Sequence, residues 1–333
     1  MAEEEGRRWL GVGAIGLCVV LWVASGQLVQ SIFSVEHFAK PFMLTFLSTA
    51  TFVVLVPVLL LFHGVSNGVG DSLGTTMRAA MGATSSLFLI WFAANYTYNL
   101  SLEMTTVSSS TVLSSTSPLW TVAWARILGV ERVSAVKVVG ALLSVLGVIL
   151  ISHEDYRAEA GRTTVVGDAL ALLSTIVYAL YSVLLGPLVR AGEGGAAGVP
   201  HVLAGVGVWT VLAMWPLLLL LHYSGLETLL VPPAVVVLSL VANGIFVTLL
   251  SQVLWSHAVI WTSPTIAAVG MTASIPLASL SDYLLHGTRF SPTYNSGASF
   301  IGLAFLIVTG ESQIVDLLRR IGICLPETPP LGV

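Results

Sequence analysis

Ten apolar stretches, most of them about twenty residues long, follow one another along this chain and restrict its fold more than any other feature. One helix of about 20 apolar residues crosses a bilayer core. An open sheet edge would leave unpaired backbone groups in lipid, so each stretch is expected to be a helix. The stretches cover residues 9–33, 41–62, 79–100, 105–127, 136–152, 166–189, 202–222, 233–260, 263–285 and 294–309. The sequence therefore predicts an all-α membrane protein with ten transmembrane helices.

The composition fits a lipid environment and argues against nucleic acid as a partner. Hydrophobic residues make up 56% and charged residues 9% of the chain, whereas soluble domains average about 25% charged residues. The formal net charge of -4 provides no basic field for nucleic acid. The expected partners are membrane lipid and a small-molecule solute.

An internal duplication divides the chain, because two sets of apolar segments 157–158 residues apart carry matching prolines and glycines. The matched positions are Pro118 with Pro276, Gly129 with Gly287 and, after a slip of one residue, Gly140 with Gly297. Since five stretches separate the copies, the second copy is inverted relative to the first, as in transporters built from repeats. We expect one five-helix repeat in residues 1–155, a second in 156–312 and a cytosolic tail in 313–333.

The distribution of lysine and arginine predicts the orientation in the membrane. With a cytosolic N-terminus, nine of the 13 basic residues fall on the cytosolic side. These are Arg7, Arg8, Arg78, Arg126, Arg132, Lys137, Arg190, Arg319 and Arg320, against Lys40, Arg157, Arg162 and Arg289 on the other side. Because cytosolic loops are enriched in basic residues, both termini are expected in the cytosol.

Motifs for enzymatic chemistry are weak. The sequence contains no Gly-x4-Gly-Lys phosphate loop, no His-Glu-x2-His motif and no cysteine pair with metal-ligand spacing. A dinucleotide-like match begins at Gly11 and a nucleophile-elbow match surrounds Ser66, but neither has the strand that these motifs require. No catalytic residue, metal or cofactor is therefore expected, and transport would use a gradient or exchange.

Polar side chains form a stripe on the third stretch. Asn95 and Tyr98 share a helical face with Trp91, and their duplicate positions in the eighth stretch are Gln252 and Trp255. An amide in a lipid span needs a partner, so these side chains are expected to face inward. Lining of a binding site and hydrogen bonding between helices both remain open for them.

Hydroxyl groups crowd the fourth stretch, where Ser114 and Ser117 precede Pro118. They indicate either a polar wall on a central cavity or close helix packing. Pro118 would free a carbonyl near Ser114, and Pro276 would do the same near Thr272. Helices interrupted at matched places in two repeats point to a binding site near the bilayer midplane.

Two ionisable residues are candidates for gating or coupling. Lys40 lies at the start of the second stretch on the predicted non-cytosolic side, where it either attracts an anionic solute or anchors the helix at the interface. Asp282 lies about one turn from the end of the ninth stretch. It either partners a proton or solute, or reaches the interface.

Small residues recur at helical spacing in the fifth and tenth stretches. Gly140, Ser144 and Gly147 mark the fifth stretch, and Gly297 and Gly302 mark the tenth. Such spacing favours close helix packing. The packing occurs either within the chain or between two subunits of a homodimer.

Several motifs resemble those of the drug/metabolite transporter superfamily, nearest the F-type solute carriers of family 35, which are similar to nucleotide-sugar transporters. They are Trp22-Val23-Ala24-Ser25, Lys40-Pro41-Phe42, Asn95-Tyr96 with Tyr98, Leu113-Ser114-Ser115-Thr116-Ser117, Tyr178 with Tyr181, and Ile275-Pro276-Leu277 with Asp282. The resemblance covers residues 8–308. It implies the drug/metabolite transporter fold, with helices one, three, four, six, eight and nine around a cavity and helices five and ten outside.

Together these observations predict a carrier that moves a small polar organic solute across an endomembrane, such as that of the Golgi or vacuole, by alternating access. The solute is expected to be nucleotide-sugar-like, vitamin-like or another metabolite. A non-transporting receptor or scaffold and a membrane-embedded enzyme are the alternatives. The predicted lining is Trp22, Ser25, Asn95, Tyr98, Ser114, Ser117, Tyr178, Tyr181, Gln252 and Trp255.

Overall fold

The computed structural model describes residues 2–36, 40–67, 70–105, 107–159, 164–193, 198–227, 237–238, 241–277, 280 and 291–320. Every regular element within these ranges is helical. The helices are α1 (Ala2–Glu36), α2 (Pro41–Ala50), α3 (Leu55–Asn67), α4 (Gly70–Met104), α5 (Val107–Ser114), α6 (Ser117–Ile127), α7 (Ala135–Glu159), α8 (Val165–Glu193), α9 (Val199–Tyr223), α10 (Leu250–Trp261), α11 (Pro264–Met271), α12 (Pro292–Thr309) and α13 (Glu311–Arg320). A 3-10 turn (Thr51–Val54) joins α2 to α3, and a π-helical stretch (Asn243–Leu249) leads into α10.

Five helical segments in the described part of the chain are long and apolar enough to cross a membrane. They are Gly6–Ala24, Pro41–Leu61, Ala135–Ser152, Val165–Val189 and Val199–Tyr223. Helices α12 and α13, which are bent by 75° relative to each other, add a sixth when they are counted as one span. The chain is thus an all-helical membrane protein, while the number ten stays a prediction.

Both predicted proline sites lie next to helix breaks. Helix α5 ends at Ser114, and α6 begins at Ser117 with Pro118 in its first turn, where a missing backbone N–H is harmless. Helix α11 ends at Met271, a turn occupies residues 272–273, and helical geometry resumes over residues 274–277, which include Pro276. The fourth and ninth predicted spans are therefore both interrupted.

The glycine seam of the fifth and tenth predicted spans lies inside one chain. Helix α7 packs along α12, and a Cβ atom on Gly147 would lie 2.6 Å from the carbonyl oxygen of Gly297. A Cβ atom on Gly140 would lie even closer to a side-chain carbon of Val308, and Ser144 is fully buried. Only Gly302 of the five marked positions faces open space. Close packing within the chain therefore occupies most of the small-residue surface.

Two pairs of helices, α8 with α4 and α1 with α10, are joined by contacts at corresponding positions of the sequence duplication. The hydroxyl of Ser174 on α8 donates to the carbonyl of Ala94 on α4 at 2.7 Å. The thiol of Cys18 on α1 lies 3.4 Å from the carbonyl of Ser251 on α10. Within the sequence duplication, α1 corresponds to α8 and α10 to α4, so the two contacts join equivalent pairs of helices.

The buried centre of the bundle lies where α1, α4, α8, α9, α10 and α11 meet. Its largest fully buried side chain is that of Tyr181. Outward-facing side chains such as Leu142, Leu220 and Leu306 are apolar and exposed, as a surface in contact with lipid requires. The polar residues of α4, α8 and α10 therefore converge on the inside.

Candidate functional site

Four aromatic side chains from three helices form a cluster at the centre of the bundle, and we refer to them as the aromatic cluster. They are Trp91 on α4, Tyr178 and Tyr181 on α8, and Trp255 on α10. The ring of Trp91 lies 4.8 Å from that of Tyr181 and 6.0 Å from that of Tyr178, measured between centroids. Trp255 lies 5.6 Å from Tyr178 and stacks on Tyr181 at 6.0 Å. These separations are typical of attractive aromatic pairs.

Helical spacing explains why these rings meet. Tyr178 and Tyr181 are three residues apart on α8, and Gln252 and Trp255 have the same separation on α10, so each pair occupies one helix face. Trp91 shares its face of α4 with Asn95, one turn further along. Packing of α4 on α8, and of α10 on α8, brings the three faces together.

The polar atoms of the aromatic cluster are only partly satisfied. The amide nitrogen of Gln252 donates to the hydroxyl of Tyr181 at 3.1 Å, and the indole nitrogen of Trp91 donates to the hydroxyl of Thr49 at 3.3 Å. The indole nitrogen of Trp255 is buried and has no hydrogen-bond partner in the described part of the chain. An unsatisfied buried donor costs about 1–3 kcal/mol, so this N–H is available to an acceptor on a bound molecule.

The aromatic cluster is closed to solvent on the side of α10. The exposed fraction is 0% for Tyr181 and 2% for both Gln252 and Trp255, while Tyr178 is half-buried. The predicted residues of the first half are more open, since Asn95 and Tyr98 are half-buried and Trp22 on α1 is 48% exposed. Four predicted lining residues thus pack together, whereas Asn95, Tyr98 and Trp22 are each more exposed than Tyr181, Gln252 and Trp255.

Asn95 and Asn99 are engaged in the fold. The side-chain amide of Asn95 donates to the carbonyl of Trp91 at 2.8 Å, within its own helix. Asn99 donates to the hydroxyl of Thr45 on α2 at 2.8 Å, and Ser101 is fully buried. Both asparagines lie in Asn-x-Ser/Thr sequences, but neither side chain is presented on an open surface loop, where glycosylation occurs.

The hydroxyl-rich fourth span divides into two groups. In one group the hydroxyls donate to carbonyls one turn earlier in the helix, as Ser115 does to Val112 and Thr116 to Leu113. The hydroxyl of Ser114 is buried without a hydrogen-bond partner among the described residues. Ser117 is half-buried, and its carbonyl accepts from Thr121. The hydroxyl of Ser110 is buried in the same way, so Ser110 and Ser114 are two hydroxyls of this span that a bound molecule can engage without breaking an existing hydrogen bond.

The remaining predicted residues lie away from the aromatic cluster or outside the described part. Lys40 precedes the first residue of α2 and is half-buried. Pro118 and Pro276 flank the two helix breaks. Asp282 and the side chain of Ser25 lie outside the described residues.

Two polar residues form structural contacts that no sequence pattern predicts. The carboxylate of Glu227 accepts from the backbone N–H groups of Phe42 at 3.0 Å and Met43 at 2.7 Å, and so caps the start of α2. Thr49, near the other end of α2, accepts a hydrogen bond from the indole N–H of Trp91 through its hydroxyl oxygen. Neither follows from sequence spacing, because both contacts join segments that are distant along the chain.

Comparison with known proteins identifies the family. The family model of the EamA-like transporter family matches residues 9–153. The uncharacterized transporter C405.03c of Schizosaccharomyces pombe is 31% identical over 93% of this chain and 98% of its own length. Solute carrier family 35 member F5 of Macaca fascicularis is 32% identical over 70% of this chain and 54% of its own length.

Two further matches agree with this family. The uncharacterized vacuolar membrane protein YML018C of Saccharomyces cerevisiae is 29% identical over 92% of both chains. A solved crystal structure with 19% sequence identity and a TM-score of 0.67 covers 92% of this chain and 98% of that chain, which shows a shared fold. The chain therefore belongs to the EamA-like transporter family, within the F-type branch of solute carrier family 35, and is a membrane transporter and not an enzyme.

Proposed function

We propose that this transporter carries a small polar organic solute across an endomembrane by alternating access, with the aromatic cluster as its central binding site. The observation that supports this most directly is the joint origin of the site. Trp91 comes from the first half of the chain, and Tyr178, Tyr181 and Trp255 come from the second. A site shared by two halves can be exposed to one side or the other when the halves move relative to each other.

The chemistry of the site favours a solute with a flat ring and several polar groups. The aromatic faces offer stacking, while Gln252 and the free N–H of Trp255 offer hydrogen bonds, and Ser114 at the break between α5 and α6 is proposed to add another. No Lys or Arg belongs to this set. A nucleotide-sugar-like, vitamin-like or similar metabolite with at most a small charge fits better than a polyphosphate, which requires several cations. The vacuolar membrane relative supports an endomembrane location, in a vacuole or the Golgi.

The proposed architecture is ten helices in two inverted five-helix repeats, residues 1–155 and 156–312, followed by a cytosolic tail. The matching contacts of α1 with α10 and of α8 with α4 support it, as do the two helix breaks. Arg8 donates to the hydroxyl of Ser312 at 3.3 Å, so the N-terminal helix and α13 meet at one end of the bundle. The excess of Lys and Arg at this end supports a cytosolic location for both termini.

A homodimer through the fifth and tenth helices is a separate proposal. The glycine seam between α7 and α12 is already filled, so the dimer would use the outward faces of these helices. Leu142 and Leu146 on α7 and Leu303 on α12 are exposed there, and Gly302 leaves room for close approach.

Uptake into proteoliposomes tests the transport proposal. Purified protein would be screened with radiolabelled nucleotide sugars, thiamine-like cations, amino acids and small ring-containing metabolites. We expect saturable accumulation of one class. Replacing Trp255→Phe removes the free N–H but keeps a ring, and should raise KM by about 2- to 10-fold, the effect of one hydrogen bond. The control Trp215→Phe, at a residue of α9 that is 51% exposed, should leave KM unchanged.

Two results would count against the proposal. If no candidate solute accumulates although the protein is monodisperse and folded, a non-transporting receptor or scaffold becomes the better description. If accumulation occurs but Trp255→Phe and Gln252→Leu leave KM and the maximal rate unchanged, the binding site lies elsewhere. A tag placed after Val333 that is shielded from the cytosol would overturn the orientation.

A further inference from the structure

We propose that two carboxylates, Asp168 and Glu131, are positioning residues that hold opposite ends of the bundle closed by binding the starts of α5 and α11. These two helices begin the two interrupted spans. The inference rests on the proposed alternating-access function, since it assigns the contacts that must break when either end opens.

The first contact lies at the end of the bundle opposite the chain termini. One carboxylate oxygen of Asp168, in the first turn of α8, accepts from the hydroxyl of Thr105 at 2.6 Å and from that of Ser109 at 2.7 Å. Both hydroxyl residues are 7% exposed. Hydrogen bonds to an ionised carboxylate are about twice as strong as neutral ones. Asp168 therefore fastens the second half of the chain to the first.

Close backbone packing accompanies this contact. A Cβ atom on Gly167 would lie 2.8 Å from the carbonyl carbon of Met104 and from the Cβ of Thr105. Thr164 donates to the carbonyl of Met104 at 2.7 Å and accepts from the N–H of Gly167 at 3.1 Å. The start of α8 thus lies directly on the junction between α4 and α5, with no room between them.

The second contact lies at the end where α1 and α13 meet. A carboxylate oxygen of Glu131 accepts from the hydroxyl of Thr265 at 2.9 Å and from its backbone N–H at 3.4 Å, in the first turn of α11. The other oxygen of Glu131 lies 2.9 Å from the ammonium of Lys137, which is 3.1 Å from Glu311 on α13. Here the first half of the chain is fastened to the second, through an ion-paired network.

The hydroxyl residues of the two contacts occupy corresponding places, although the two carboxylates do not. Ser109 binds Asp168 and Thr265 binds Glu131, and these two hydroxyl residues are 156 residues apart, close to the 157–158 residue offset of the sequence duplication. Gly11 on α1 approaches Thr262 as Gly167 on α8 approaches Thr105. Since each carboxylate joins one half to the other at its own end, release of one opens that end and leaves the opposite end closed. In this structure both contacts are intact, and Trp91, Tyr181 and Trp255 of the aromatic cluster are buried.

Cysteine labelling distinguishes the two ends. In a full-length background without the two native cysteines, Ser110→Cys reports on α5 and Ala267→Cys reports on α11. Both positions are 0% exposed and are equivalent in the duplication. The measured quantity is the rate of reaction with a small polar thiol reagent in detergent, which needs no transported solute.

Removing each carboxylate should open its own end. We expect Asp168→Ala to raise the labelling rate of Ser110→Cys by about tenfold or more, and Glu131→Ala to do the same for Ala267→Cys, because tenfold corresponds to only about 1.4 kcal/mol. In each case the reporter at the opposite end should change less than about twofold. The conservative variants Asp168→Asn and Glu131→Gln should give labelling rates between those of the unmodified protein and the alanine variants. They control for loss of folding, because their side chains keep nearly the same size and shape.

Matched controls are exposed carboxylates at the same ends, Glu103→Gln and Asp316→Asn, which should leave both rates unchanged. Equal acceleration at both ends, acceleration at the wrong end, or no acceleration with any of the four variants would overturn the proposal. The labelling rates are measured without any solute, so failure of the uptake screen and failure of the labelling experiment are distinguishable: the first counts against the proposed transport, the second against the roles of Asp168 and Glu131.

Discussion

Gly297 is the position where a single methyl group should do the most damage to this fold. A Cβ atom there would lie 2.5 Å from the carbonyl oxygen of Gly147 and 2.8 Å from a side-chain carbon of Ile151. Real Cβ atoms do not approach a backbone oxygen so closely, and the oxygen cannot move without its helix. Gly297→Ala must therefore push α12 away from α7.

The expected magnitude follows from two opposing terms. Alanine in a helix interior is more favourable than glycine by about 0.5–1 kcal/mol, because the unfolded chain has fewer conformations. Overpacking of a tight contact costs about 1–3 kcal/mol, and here the obstructing atom is backbone. We expect a net destabilisation of about 1–2 kcal/mol for Gly297→Ala. Gly302→Ala on the same helix meets nothing within 4 Å, so it should gain about 0.5–1 kcal/mol.

Thermal unfolding in detergent measures this difference. Cys18 is fully buried, so a dye that fluoresces on reaction with a thiol reports the unfolding of its surroundings. The melting temperature should fall for Gly297→Ala and hold or rise for Gly302→Ala, relative to the unmodified protein. Equal melting temperatures for the two variants, or a melting temperature of Gly302→Ala below that of Gly297→Ala, would refute the assignment of tight packing between α7 and α12.

Three further predictions use the same protein preparation. Glu227→Gln should lower stability by about 0.5–2 kcal/mol in the thiol-dye assay, since it weakens the cap at the start of α2. In a double-mutant cycle on the free energy of unfolding, Tyr181→Phe and Gln252→Leu should show a coupling of about 1 kcal/mol, because each removes the same hydrogen bond. Asn99 should carry no glycan after expression in a eukaryotic host, so glycosidase treatment should leave the mass unchanged, since its amide is bonded to Thr45.

Each of these has a clear opposing outcome. An unchanged melting temperature for Glu227→Gln would mean that the cap contributes nothing. Additive effects of Tyr181→Phe and Gln252→Leu would show that the two side chains do not interact in the folded protein. A glycosidase-sensitive mass shift that disappears in Asn99→Gln would place this part of α4 outside the membrane and unpaired from α2.

Much of the fold could be predicted from the sequence, because lipid leaves the backbone few choices. The lengths of the apolar stretches required helices, and Pro118 and Pro276 lie at the breaks that α5, α6 and α11 show. The duplication also anticipated which positions correspond. The sequence did not predict what packs against the small residues of the fifth and tenth stretches, because a glycine such as Gly147 suits close packing with a helix of the same chain as well as with a second subunit.

The candidate site was predictable only in part. The stripe of Gln252 and Trp255 on one helix face follows from helical periodicity, and both side chains do face the centre. Trp91 is not among the predicted lining residues, although its ring contacts those of Tyr178 and Tyr181 in the aromatic cluster. Which residues of a polar stripe touch depends on how far one helix is shifted along its neighbour, and that shift has no signal in local spacing.

The sequence by itself determined that this chain is a helical membrane protein and predicted two related halves with a polar interior, because the apolar lengths and the internal duplication are properties of the chain alone. Only the tertiary structure decided which polar groups are satisfied and which remain free. The carboxylates of Asp168 and Glu131 bind hydroxyls that are far away in sequence, whereas the N–H of Trp255 is left without a partner. Such pairings depend on distances of a few tenths of an ångström between packed helices, and these distances are set by the whole bundle.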